Sequence, residues 1–273
     1  MIVNTPSITE KKYKKLSLLV SLDGFSFSIV DTLDNKVHSY KEVKFDNADK
    51  SVPIEELFVG AFAENTLLGE KYDEIVVVHS NNLSTVVPAA MFDENYLGSY
   101  LQYSAKVFET DSFDFDEIPT YQMNMVYIPY AHINNFLIDR LGSFDYKHAN
   151  TILVSRLLDA SKNVDDKRMF VHFNPGHFEI VVVQNQHLLL FNSFEYSTPE
   201  DLIYYVLFTA EQLNMNPETL RLEFIGGISA DDDYYKIAYK YIRNVSLFDT
   251  GDMQLRNTFS SEENRKNFIL FHS

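Results

Sequence analysis

The chain says nearly the same thing twice. At an offset of 151 residues, Leu18-Leu19-Val20-Ser21-Leu22-Asp23-Gly24-Phe25-Ser26-Phe27-Ser28-Ile29-Val30 falls without a gap on Met169-Phe170-Val171-His172-Phe173-Asn174-Pro175-Gly176-His177-Phe178-Glu179-Ile180-Val181. The register continues with Val37 on Leu188, Tyr40 on Phe191 and Phe45 on Tyr196. A self-match at one offset predicts two copies of one structural unit, so an acceptable fold must contain the same local architecture twice.

The 273 residues suffice for one large domain or two of ordinary size. Apolar residues at 45% and aromatics at 14% supply a packed core and exclude global disorder. No cysteine is present, which removes disulfides, thiolate metal sites and thiol nucleophiles and fits a reducing compartment. The net charge of −16 argues against nucleic acid, which is bound by neutralising phosphates with Lys and Arg, and against docking on anionic lipid. No apolar run reaches the length of a membrane span, and residues 1–15 lack the apolar stretch of a secretion signal. The expected location is the cytoplasm, without membrane insertion.

Each copy opens with period-two runs that predict three strands, in copy one over 16–22, 25–31 and 37–45. Asp34-Asn35-Lys36 and Gln184-Asn185-Gln186 supply the same turn in the two copies. A helix follows in both, where Ser51-Val52-Pro53-Ile54-Glu55-Glu56 matches Ser197-Thr198-Pro199-Glu200-Asp201-Leu202. Pro suits the first helical turn, and the acids favour the positive helix end. Buried strands follow over 74–79 and 220–225. Copy one then predicts a helix near 93–104, an acidic loop over 111–117 that reads as a solvated insertion with a binding tongue as the alternative, a strand over 123–130, a helix over 131–141 and a bridging helix over 148–161. Copy two ends with a helix over 231–243 and a strand over 245–248. The expected division is a tail at 1–15, one domain at 16–163 and a second at 164–273.

Three meandering strands, then helix, strand and helix, present twice, resemble the actin-like ATPase fold. That α/β fold has two tandem RNase-H-like domains, mixed five-stranded sheets flanked by helices, and an interdomain cleft. Asp23-Gly24 resembles its first phosphate loop, Asn174-Pro175-Gly176-His177 its second, and Phe224-Ile225-Gly226-Gly227-Ile228-Ser229 its adenosine motif. The resemblance covers residues 16–250. It is nearest to an uncharacterised Bacteroidota family and more distant to actin-like components of pilus assembly and type II secretion. It implies Asp23, Gly24, Asn174, Gly176, Gly226 and Gly227 as candidate nucleotide-binding residues. Any cofactor would be ATP with Mg²⁺, with Asp23 on the metal; none is expected to be resident.

The catalytic pattern is broken. Phosphoryl transfer on this fold needs a carboxylate in each loop and backbone donors around the phosphates. Here Asn174 replaces the second acid, Pro175 removes one N–H, and bulky Phe25 and His177 stand where small donors are expected. The segment Ile128-Pro129-Tyr130-Ala131 carries no group to orient a water. Asp231-Asp232-Asp233 reads as an ordinary helix start, and His172 with His177 as a poor zinc pair. No catalytic residue is expected. The first functional reading is a non-hydrolysing binding or scaffold module with an unidentified protein partner, its cleft filled by Phe25 and His177 or its surface bearing an apolar patch. The second is a nucleotide-binding protein or weak ATPase with an open, donor-rich cleft. A metabolite kinase is a third, disfavoured for want of a carboxylate beyond Asp23.

Overall fold

The computed structural model describes residues 11–45, 52–108, 110–251 and 257–273. Residues 1–10 of the expected tail and Ser51 of the expected helix cap lie outside these. Strands β1 (Lys14–Ser21), β2 (Gly24–Asp31) and β3 (Lys36–Lys44) form an antiparallel meander, so the first strand begins inside the expected tail. Helix α1 (Ile54–Glu64) leads to β4 (Glu74–His79), which lies parallel to β1. Next come β5 (Ser84–Pro88), α2 (Leu97–Leu101), β6 (Asp114–Ile118), β7 (Met123–Tyr127), α3 (Ala131–Leu141), β8 (Asp145–His148) and α4 (Ala149–Ala160). The second copy runs through β9 (Arg168–Asn174), β10 (His177–Gln184), β11 (His187–Glu195), α5 (Pro199–Gln212), β12 (Arg221–Gly226), α6 (Asp233–Tyr241) and β13 (Asn244–Leu247). Two short helices, α7 (Ser261–Lys266) and α8 (Phe268–Phe271), end the chain.

The duplication is visible in the sheets. One has the order β3-β2-β1-β4-β8 and the other β11-β10-β9-β12-β13. In each, a meander supplies three strands and a parallel pair extends the other side. The gapless match at 151 is nevertheless slipped. Ser21 pairs with Gly24 around the first hairpin, and Asn174 pairs with His177 around the second. Structurally Ser21 therefore stands on Asn174 and Asp23 on Gly176. The backbone agrees: Asp23 O accepts from Phe45 N–H, and Gly176 O accepts from Tyr196 N–H. The bulges at Ile29/Val30 and Val182/Val183 obey the same shifted register. The longer turn between Asp31 and Lys36, set against that between Gln184 and His187, absorbs the two residues and restores 151 in the third strands. A slip of two keeps every side chain on its own face, so alternation alone cannot detect it.

Each sheet buries one face under its own helices. Leu16, Leu18, Phe25 and Phe27 pack with Phe58 of α1 and Leu137 of α3. Met169, Val171, Phe178 and Phe224 pack with Leu202 and Val206 of α5. Helix α5 starts on a reciprocal cap: Thr198 Oγ1 accepts from Asp201 N–H, and Asp201 accepts from Thr198 N–H. Helix α4 bridges the halves as expected. Its Leu153, Val154 and Leu157 share one core with Val76 and Val78 of β4 and with Phe170 and Val181 of the second sheet. The rest of the helix surface is polar, and Arg156 and Asp159 stay half-exposed there. Helix α8 also spans the halves. Phe268 and Ile269 join the α4 core, whereas Leu270 and Phe271 pack on Val30 and Val37 of the first sheet.

Two expectations fail for identifiable reasons. The helix over 93–104 contracts to a 3-10 turn at Glu94–Tyr96 and the short α2. The acidic segment is not a solvated loop, because Asp114–Ile118 is a strand whose Asp114 and Asp116 face donors. Asp116 accepts from Tyr127 Oη (3.1 Å), His148 N–H (2.8 Å) and Thr151 Oγ1 (2.5 Å), which anchors the start of α4.

Candidate functional site

The strand ends that the fold would offer to a nucleotide carry Asp23 and Gly24 on one hairpin, Asn174 and Gly176 on the other, and Gly226-Gly227 after β12. Both hairpins are tight turns of two residues between paired ends. So short a turn leaves few free N–H groups to surround a phosphate. Asp23 is exposed at the tip of the first. Phe25 does not fill a cleft; it is buried in the first core, stacked on Phe58 with ring centroids 5.2 Å apart.

The second hairpin is tied to its own sheet. Glu179 is fully buried in mid-strand. His172 Nδ1–H donates to its Oε2 at 2.9 Å, and Asn174 Nδ2 donates to the same oxygen at 2.8 Å. His177 Nε2 lies 3.2 Å from Oε1. That nitrogen makes no aligned hydrogen bond, so the contact is one of charge. Burial by itself would raise the Glu179 carboxyl. The His172 hydrogen bond and the neighbouring His172 and His177 rings outweigh it and hold the group down to about 2. Burial likewise pushes the His177 ring down, but Glu179 more than compensates and its pKa is raised.

Facing this in the first half is a second buried polar group at the ends of β4 and β8. His79 Nδ1 accepts from Tyr130 N–H at 3.1 Å, which leaves Nε2–H to donate to Asn134 Oδ1 at 3.0 Å. His148 Nδ1 accepts from Asn150 N–H at 3.1 Å, and its Nε2–H donates to Asn81 Oδ1 at 3.2 Å. Burial pushes His79 down to about 4 and His148 down to about 3, so both rings are neutral at neutral pH. The charges of Glu179 and His177 reach His148 from the second half. Each ring nitrogen of this pair has a partner, so neither histidine holds a free base for proton transfer. At the segment 128–131, Tyr130 Oη donates to Ser80 O at 2.9 Å and supplies no carboxylate.

Gly226 has a local reason to be glycine. Its φ is +100°, and a Cβ there would lie 2.4 Å from Phe173 O on the neighbouring strand. Gly227 is different: the nearest atom to its added Cβ is Lys266 Cγ at 3.8 Å. Asp232 accepts from Ser229 N–H at 3.1 Å ahead of α6, as a helix-start acid does. Among the described residues, the donor atoms that converge as three are those of Asp31, Asp34 and His38, in an exposed turn at the other end of the first meander. His172, Glu179 and His177 do not converge in that way, and Asp23 joins no such group. The residues present therefore do not fit a Mg²⁺–ATP complex of the kind the fold implies.

The sequence placed the hairpins and the glycine turn correctly but missed Glu179, Asn81 and His148. A lone acid inside the apolar run Phe178-Glu179-Ile180-Val181 was the available signal, since buried carboxylates need partners.

Duplicated meander sheets, each with its tight first hairpin, and a shared bridging helix define a protein of the actin-like ATPase fold. A Bacteroides thetaiotaomicron protein with that fold and unknown function is similar over 89% of this chain and 94% of its own, at 24% identity and a TM-score of 0.78. The PilM–PilN type IV pilus biogenesis complex is similar over 94% of this chain and 96% of that one, at 11% identity and a TM-score of 0.61. The cytoplasmic domain of EpsL, from the type II secretion system of Vibrio cholerae, matches over 94% and 92% at 12% identity and a TM-score of 0.46. Residues 4–245 match the family described as protein of unknown function (DUF3822), and the chain belongs to that family. No curated protein matches it in sequence. No helix among the described residues is long and apolar enough to cross a membrane.

Proposed function

We propose that this protein is a non-hydrolysing binding module that uses the actin-like fold to present surfaces to a protein partner. The carrying observation is the second hairpin: the Asn174 amide turns back to Glu179, 2.8 Å away, where the fold would turn a polar group to a phosphate. The carboxylate beneath stays ionised, and the nearby histidines are already engaged with it. A polyphosphate entering here would have to break that cluster and approach a buried negative charge. The PilM–PilN neighbour is a protein–protein complex, which supports a protein as partner. The acidic charge supports a partner that is not nucleic acid. A cytoplasmic location and a Bacteroidota source belong to the same proposal, the second supported by the Bacteroides similarity. So does the division at 163/164, with α8 serving both halves.

Calorimetry with ATP and Mg²⁺ tests the reading, with Gly227→Leu as control because a Cβ there meets nothing closer than Lys266 Cγ at 3.8 Å. The expected result is no heat up to about millimolar ligand, an affinity worth only about 4 kcal/mol. Micromolar binding lost in the control would overturn it. The cleft would then be a nucleotide site built from Asp23, Gly24, Asn174, Gly176, Gly226 and Gly227.

A further inference from the structure

The two outer meander strands, β3 and β11, occupy the same place in the duplicated fold and share a bulge, yet only β3 carries lysines and lies under the C-terminal segment. An edge strand exposes unpaired backbone groups, and proteins blunt such edges with lysines or cover them. Strand β3 carries Lys36, Lys41 and Lys44. The C-terminal segment also lies against it: Tyr40 meets Phe259 and Phe271 edge-on, with centroids 5.0 and 5.4 Å apart. Lys266 Nζ donates to Glu42 Oε2 at 2.6 Å. Strand β11 reads His-Leu-Leu-Leu-Phe-Asn-Ser-Phe-Glu, without Lys or Pro, and ends the second sheet with β10 as its one hydrogen-bonded strand neighbour among the described residues, although β5 passes close to it and Asn82 Nδ2 donates to Glu195 at its end.

An aromatic strip adjoins this lysine-free edge. Tyr205 of α5 stacks on Phe194 of β11 at 4.3 Å. Beyond it Tyr204 and Phe208, one helical turn apart, stack on each other at 6.2 Å and remain 62% and 48% exposed. Leu189 of β11 is 36% exposed. Across 187–212 the chain has Glu195, Glu200, Asp201 and Glu211 and no Lys or Arg.

From this asymmetry we infer that β11 and the Tyr204–Phe208 strip form the docking surface for a partner protein that adds an extended segment with alternating apolar and basic residues. Backbone pairing along the edge supplies affinity, and the aromatic strip selects the apolar positions. The acidic surround selects Lys and Arg. It disfavours a second copy of this chain, which would bring acids against acids and carries −16 overall. The inference rests on the protein-partner reading but not on the state of the cleft. Nucleotide calorimetry tests the cleft and the experiment below tests the edge, so either can fail alone.

The test is selection of displayed random peptides on the full chain, about twelve residues long so that an extended peptide spans the nine-residue strand. Enriched peptides are then titrated by calorimetry. The expected winners alternate apolar and basic residues. They bind at least about tenfold more weakly to Leu189→Lys, which gives β11 the protection β3 has, and to Phe208→Ser, which alters only an exposed helical position. Thermal unfolding checks that both variants are folded. No enrichment, winners without basic residues, or binding unchanged in both folded variants would overturn the assignment. So would a concentration-dependent dimer in sedimentation that Leu189→Lys abolishes, since the surface would then serve a second copy.

Discussion

Asn174 Nδ2 and Glu179 Oε2 lie 2.8 Å apart across the second hairpin, and this hydrogen bond ties the Asn174 amide back to its own sheet. Glu179 should therefore be a stability residue. Glu179→Leu removes the carboxylate and leaves His172 and His177 buried without their counter-charge. Breaking a buried pair in this way costs about 3–5 kcal/mol, which urea denaturation at neutral pH would measure. A loss below about 1 kcal/mol would show that the cluster is not a folding unit.

The same cluster sets a pH profile. The Glu179 carboxyl is held below its ordinary 4.5, down to about 2. Its contribution is fully present above pH 4.5 and is lost as pH falls toward 2. His177 is raised above 6.5, so its contribution is present below pH 6.5 and is lost as pH rises through the raised value. The stability difference between wild type and Glu179→Gln is thus expected to be largest between about pH 4.5 and 6.5. Denaturation curves across pH 2–8 test this; a difference that is flat with pH would refute the pairing.

His79 and His148 behave in the opposite sense. Both are pushed down by burial, to about 4 and about 3, so the unfolded chain binds their protons first and stability falls as pH drops from 6.5. At pH 5, imidazole ¹⁵N spectra should show both rings neutral with the proton on Nε2, beside a protonated His177. A protonated His148 at that pH would contradict the hydrogen bonds assigned to Asn81 and Asn150.

The paired glycines separate structure from ligand approach. Gly226→Ala places a Cβ 2.4 Å from Phe173 O at φ +100°, so it should destabilise by more than about 1 kcal/mol. Gly227→Ala meets nothing closer than Lys266 Cγ at 3.8 Å and should stay within about 0.5 kcal/mol of wild type. Thermal unfolding of the two variants decides it, and equal losses would mean that the local backbone account is wrong.

The meander strands, α1, α3, α4 and α5 were legible because alternation, Pro near helix starts and continuous apolar runs are local signals. The slip between 151 and 153 was illegible for the same reason: Leu16 and Leu18 point the same way, and a shift of two exchanges like for like. Strands β5 and β8 were missed because each is short and owes its place to distant partners. Ser84 pairs with Tyr127, and Asp145 pairs with Val76. At the site, the resemblance implied Asn174 where the fold's second phosphate loop would carry an acid. It could not show that the Asn174 amide turns toward Glu179, because the hairpin register decides which side chains meet.

The C-terminal segment offers a contest between charge and packing that magnitudes resolve. Lys266 pairs with Glu42, but both side chains are more than one-third exposed, and such a pair contributes about 0–1 kcal/mol. Phe271 is buried against Val30, Val37 and Tyr40, and truncating a buried Phe costs about 3–5 kcal/mol. Phe271→Ala should therefore lower the urea midpoint several times more than Lys266→Ala. Because Phe268 of the same helix joins the α4 core, the loss should reach both sheets. Hydrogen exchange should accelerate in β1 and β2 and also in α4, as one cooperative unit. Acceleration confined to α7 and α8 would mean that the segment is a surface strap, with the halves held by α4 alone.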